Sequence, residues 1–127
     1  GIASRFVQNG ATLLATITND AWFGNSSAPH QHFAIAVFRA VENRRSIARA
    51  ANTGISGIIY PDGTVVSQTR LFADAVVTED VPLLTCSSFY TVHGDLFAIS
   101  SLVAICLVFV LKGATGLFRK TVEEKTS

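Results

Sequence analysis

The apolar positions of this chain change period several times, and each change predicts an element. Ile2, Phe6 and Val7 share one helical face, and Asn9-Gly10 is a stop signal. Ala11 to Thr18 is a short run rich in apolar and β-branched residues, which predicts a buried strand. Asn19 to Pro29 reads as a loop, with Ser26, Ser27 and Pro29 marking a helix start. From His30 to Arg44 the apolar residues Phe33, Ala34, Val37, Phe38, Ala40 and Val41 recur at helical spacing over a broad face. Ser46 to Ala51 predicts a second buried strand, turned by Asn52-Thr53-Gly54, and Ile55 to Tyr60 a third. Pro61-Asp62-Gly63 is a turn signal, with Thr64 to Thr69 as its returning hairpin strand. Ala75 to Val81 predicts one more strand, ended by Pro82. Strand, helix, strand and hairpin in this order predict a layered α/β domain over residues 1–91.

The pattern then breaks. Leu96 to Leu111, LFAISSLVAICLVFVL, is sixteen residues without a charge. As helix it spans about 24 Å, slightly short of a hydrocarbon core of about 30 Å. Val92 to Asp95 or Gly113 to Phe118 lengthens it. A buried core helix would also be this apolar. The terminal position and the following Lys112, Arg119 and Lys120 favour a transmembrane helix over 92–118, with Tyr90 and His93 at one interface. The basic flank puts the tail, 119–127, on the cytoplasmic side and the globular part outside, in the periplasm of a bacterium.

Composition narrows the function classes. Apolar residues make up 49% and charged residues 15%, which excludes a disordered chain. A net charge of +1 with scattered Arg gives no track for nucleic acid phosphates. Two Cys, Cys86 and Cys106, are too few for a disulfide framework and lack metal-ligand spacing, so neither a metal nor another cofactor is expected. The 127 residues include no Met, and the start lacks a signal-peptide pattern, so the chain is expected to be a piece of a longer protein. Residues 1–111 hold no Lys. Arg39, Glu42, Arg45 and Arg49 are expected to form a buried or half-buried ion-pair network. Asn25-Ser26-Ser27 matches a glycosylation sequon, a short pattern with little weight.

The candidate chemistry lies in TITNDAWFG, residues 16–24. Asn19 and Asp20 end a strand and can hold a tight turn through backbone hydrogen bonds. Trp22 offers an apolar wall with one donor. Ligands of layered α/β folds bind beyond the C-terminal ends of strands, so these residues suit a pocket wall. On chemistry alone, a structural loop whose Trp22 and Phe23 fill core is the simpler reading.

A resemblance changes that balance. Asn19-Asp20-Ala21-Trp22-Phe23-Gly24, Gln31-His32, Arg39-Ala40-Val41-Glu42, Arg49 to Ser56 and the Asp62-Gly63 hairpin resemble the C-terminal half of the nitrilase-type domain of the apolipoprotein N-acyltransferases. The likeness covers nearly the whole chain. It implies a partial nitrilase-like α-β-β-α sandwich followed by one C-terminal transmembrane helix. It also implies a membrane enzyme that moves an acyl chain from a phospholipid donor to the N-terminal amine of a diacylglyceryl-Cys lipoprotein. In that family a Cys forms the thioester, a Glu is general base and a Lys stabilises the oxyanion. All three would lie upstream of Gly1, so no catalytic residue is expected here and the chain alone should be inactive. Asn19 and Trp22 resemble pocket-lining positions. Asp20 is expected to fix the loop, Phe23 to face core or acyl chain with core the simpler, and His32 to bond at the helix start with a pocket role open. A soluble carbon–nitrogen hydrolase and a non-catalytic membrane-tethered domain remain as alternatives.

Overall fold

The computed structural model describes the backbone of residues 1–125 and the side chains of residues 1–112. It comprises two units, Gly1–Gly94 and Asp95–Ser127. In the first, α1 (Ile2–Gln8) leads into β1 (Leu13–Asn19), a 3-10 turn (Ala21–Phe23) and α2 (Ala28–Asn43). β2 (Ser46–Asn52), β3 (Gly57–Ile59) and β4 (Val65–Gln68) follow, and α3 (Phe89–His93) closes the unit. Pro29 stands in the first turn of α2, where its missing N–H costs nothing. Arg44 ends that helix in the left-handed region at φ 50°.

The sheet has four strands in the order β1-β2-β3-β4. β1 and β2 are parallel, which requires a crossover, and α2 is that crossover. The other two pairings are antiparallel. Leu14 faces Ile47 across the parallel pair, and both are buried with Phe33, Ala36 and Ala40 of α2, Val7 of α1, and Ile55 and Ile59. The mixed four-stranded sheet fits a nitrilase-like α/β fold.

Three expectations need correction. β1 is not a buried strand: only Leu14 is buried, and Ile17 is 92% exposed. β1 borders β2 alone among the described strands, so one edge and the face away from α2 stay open. β2 is buried only at Ser46 and Ile47.

Second, residues 75–81 form no strand. Their β-branched residues favour extension, but a strand needs a ladder partner. Side chains instead hold the carbonyl of Asp80 and, just beyond the segment, those of Pro82 and Cys86. Tyr60 Oη donates to Asp80 O at 2.9 Å, Ser46 Oγ to Pro82 O at 2.8 Å and Arg45 Nη1 to Cys86 O at 2.7 Å. The segment is a strap stitched across the unit.

Third, the four charged residues make no single network. Arg39 Nη1 lies 2.8 Å from Glu42 Oε2. That contact is ionic, without an aligned hydrogen bond. Among the described residues buried Arg45 donates only to the carbonyls of Ala11, Arg44 and Cys86, and Arg49 pairs elsewhere.

α3 lies where the apolar pattern predicts no element of the domain. Ser88 caps it, its Oγ accepting the Thr91 N–H at 2.9 Å and donating to Glu42 O. In the second unit α4 runs Leu96–Lys125. Among the described residues no helix is long and apolar enough to cross a membrane. The side chains of Arg119, Lys120 and the rest of the expected tail lie outside the described residues.

Candidate functional site

Strand periodicity decides what meets at the corner. Leu14, Thr16, Thr18 and Asp20 alternate onto one face of β1, the face toward α2. Ile47, Arg49 and Ala51 do the same on β2 in matching register. Asp20 therefore leaves β1 pointing at α2, one pair beyond Thr18 and Ala51. Its backbone N–H continues the ladder to Asn52 O at 3.3 Å.

Asp20 is 2% exposed, and its carboxylate is fully partnered. Arg49 Nη2 donates to Oδ2 at 3.0 Å. His32 Nδ1 lies 3.2 Å from Oδ1, and Thr18 Oγ1 donates to the same oxygen at 3.3 Å. Arg49 Nε donates to Ile55 O, so the guanidinium is held at both ends. A buried carboxylate next to a buried guanidinium is tolerable because each satisfies the other. Gly54 completes the pocket: a Cβ there would stand 2.4 Å from Asp20 Oδ2.

The rest of the corner hangs from this pin. Asn19 Oδ1 accepts the Ala21 N–H at 3.1 Å, an Asx turn. Phe23 N–H returns to Asp20 O at 3.1 Å, closing the 3-10 turn. Gly24 leaves it at φ 51° and ψ −145°, a combination that suits only glycine.

Trp22 is consequently 85% exposed, and Phe23 39% exposed. This overturns the simpler expectation that the two rings fill core. The turn is too short to fold them back. Phe23 instead meets the His32 ring edge-on, with centroids 4.9 Å apart at 82°.

Below the corner a cleft of about 270 Å³ opens beside β1, between α1 and α2. Thr16, His32, Arg39 and Arg49 are its polar lining, and Phe6 and Ile35 are among its apolar walls. The structure thus brings Asp20, Phe23 and His32 together around one pin. Asn19 supports the turn, and neither Asn19, Trp22 nor Phe23 lines the cleft. Sequence reasoning missed Arg49 and Gly54 as partners of Asp20. The available signal was the shared face of Thr16, Thr18 and Asp20. Both thiols are exposed, and among the described residues no three His, Cys, Asp or Glu groups could hold a metal.

Residues 3–90 match the family model described as carbon-nitrogen hydrolase. The chain is 47% identical over 110 residues to the apolipoprotein N-acyltransferase of Geobacter metallireducens, covering 87% of this chain and 21% of that protein. It is 37% identical over 119 residues to apolipoprotein N-acyltransferase 1 of Treponema pallidum, covering 93% and 22%. With the Chlorobaculum tepidum apolipoprotein N-acyltransferase the figures are 45% over 96 residues, 76% and 18%. The chain spans about a fifth of the length of the curated relatives it matches.

Proposed function

We propose that this chain, which belongs to the carbon–nitrogen hydrolase family, is part of an apolipoprotein N-acyltransferase. The parent enzyme would take an acyl chain from a phospholipid onto a Cys thiol as a thioester. The N-terminal amine of a diacylglyceryl-Cys lipoprotein would then attack the thioester carbonyl, forming an amide and releasing the thiol. The Cys, the Glu base and the Lys that stabilises the oxyanion would lie before Gly1. The observation that carries this reading is 47% identity over 87% of the chain.

The chain's own share is the pinned corner. Asp20, Arg49 and Gly54 keep the 3-10 turn rigid, so that Asn19, Trp22 and Phe23 form a wall at the end of β1. An exposed aromatic pair on a fixed turn suits an acyl chain, because Trp and Phe bring large apolar area without flexible side chains. The domain would span 1–91 as part of an α-β-β-α sandwich, with a transmembrane helix over 92–118 and a tail at 119–127. Support for the span is the uncharged run Leu96–Leu111, which Lys112 separates from the uncharged stretch Gly113 to Phe118. In this reading the protein sits in the bacterial inner membrane, its globular part periplasmic and its C-terminus cytoplasmic.

The test uses the full-length protein in detergent or vesicles. Incubation with phosphatidylethanolamine should add one acyl mass to a Cys, removable by hydroxylamine, and a diacylglyceryl-cysteinyl peptide should then receive it as an amide. Residues 1–127 alone should do neither. A full-length protein that hydrolyses small amides and never becomes acylated would overturn the proposal.

A further inference from the structure

Asp20 settles more than the shape of the corner. A carboxylate only accepts hydrogen bonds. Its Oδ2 takes Arg49 Nη2, and its Oδ1 lies 3.2 Å from His32 Nδ1. Nδ1 must therefore carry a proton. In the neutral ring this leaves a lone pair on Nε2, and Nε2 has no partner among the described residues. The imidazole is 41% exposed, lines the cleft, and is braced by the edge of Phe23. The cleft's other charges are already answered: Arg49 by Asp20, and Arg39 by Glu42 at 2.8 Å.

We propose that His32 is a substrate-binding acceptor: Asp20, pinned by Arg49, fixes the Nδ1–H tautomer so that Nε2 takes a hydrogen bond from the incoming uncharged amine. The inference rests on the acyltransferase reading and deepens it. The cleft's lining holds Arg39 and Arg49 and no Asp or Glu to balance an ammonium, so the uncharged amine is the form that fits. The neutral amine is also the form whose nitrogen lone pair can attack a thioester. One amine N–H on Nε2 would orient that lone pair away from the imidazole. The proton lost after attack goes to the general base of the parent enzyme, not to His32. Asp20 and Arg49 are positioning residues, since they act only through the ring.

Two measurements test this. Long-range proton–nitrogen correlation spectra of the full-length enzyme with labelled His read the tautomer directly. Protonated Nδ1 and bare Nε2 at His32 are expected, and the opposite tautomer overturns the proposal. In the full-length enzyme the two half-reactions are then followed separately. Phosphatidylethanolamine reports acylation of the enzyme, and a diacylglyceryl-cysteinyl peptide reports transfer to the amine. His32→Asn retains a donor for Asp20 but has no atom at Nε2. It should acylate at the normal rate and transfer to the peptide about 10-fold or more slowly. His32→Gln, which can place an amide oxygen near Nε2, should restore much of the transfer. Normal transfer by His32→Asn would overturn the proposal and leave His32 as a brace for Phe23. Equal loss of both half-reactions would also overturn it, as general damage to the corner. If the unsubstituted enzyme forms no thioester, the acyltransferase reading itself falls and this role falls with it, whatever the tautomer.

Discussion

Gly54 is small because Asp20 fills the space its side chain would need. A Cβ at 2.4 Å from Oδ2 must displace a carboxylate that Arg49, His32 and Thr18 hold in place. Gly54→Ala is therefore expected to cost about 1–3 kcal/mol by overpacking, read as a lower urea midpoint at unchanged slope. Asp20→Ala should cost more, about 3–5 kcal/mol, because it strands a buried guanidinium. If Asp20→Ala proves milder than Gly54→Ala, the ion pair is not what holds the corner. The hairpin turn shows a carboxylate in the opposite setting. Asp62 is exposed, and the Thr64 N–H donates to its Oδ1 at 2.9 Å, which holds its pKa below the ordinary value of 3.8. The turn's support is thus present at neutral pH and lost as acid passes that lowered value. In an acid titration the Thr64 amide proton should shift with a midpoint under 3.8, and a midpoint at or above it would refute the bond.

Each regular element draws its stability from a different source, and α3 has the least of its own. It is five residues long, too short to persist by propensity. Its hold on the unit is polar. Ser88 caps it, buried Thr91 meets Asn43 Oδ1 at 3.3 Å, and Gln8 Nε2 donates to Thr91 O at 2.6 Å. Ser88→Ala should cost about 1 kcal/mol and speed amide exchange in 89–94 while leaving the sheet's protection unchanged. Loss of protection in β2 as well would mean that the strap and sheet open together. The same local dependence explains what could be read from sequence. α2, the hairpin and the two strands on either side of α2 announce themselves through period and turn residues within a short window. Residues 75–81 mislead, because β-branching reports a preference for extension and says nothing of a free partner. α3 escapes notice because its signal, Ser88 and Thr91, is a lone polar pair whose other partners, Glu42 and Asn43, lie more than 40 positions away. The corner was legible as a motif, but its pin was not: Asp20 and Arg49 are 29 residues apart and meet only through the β1–β2 register.

At the scale of the whole unit the sheet has two unequal faces. One carries α1 and α2 over the core. The other presents Ala15 and Ile17 of β1 beside Ala48 and Ala50 of β2, with a groove bordered by Ala75 to Val77. Parallel strands are normally covered on both faces, and an isoleucine 92% exposed on one of them has no stabilising role in this chain by itself. The chain is about a fifth of the length of its relatives. If the parent covers this face, the same substitution must have different costs in the two contexts. In the 127-residue chain Ile17→Asp should change stability by no more than about 0.5 kcal/mol, since it replaces a solvated side chain. In the full-length protein it should cost several kcal/mol, on the order of 3–5, because a carboxylate would be buried without a partner. Thermal unfolding of both pairs measures the difference. A small effect in both would mean that the sheet face meets solvent in the parent too. A large effect in both would mean that Ile17 is already covered within the chain, against its exposure here. Only the split result makes the open face the seat of the missing layer. The free edge of β1, whose end carries Asn19, Asp20 and the aromatic corner, is a separate surface, one that a further strand could pair.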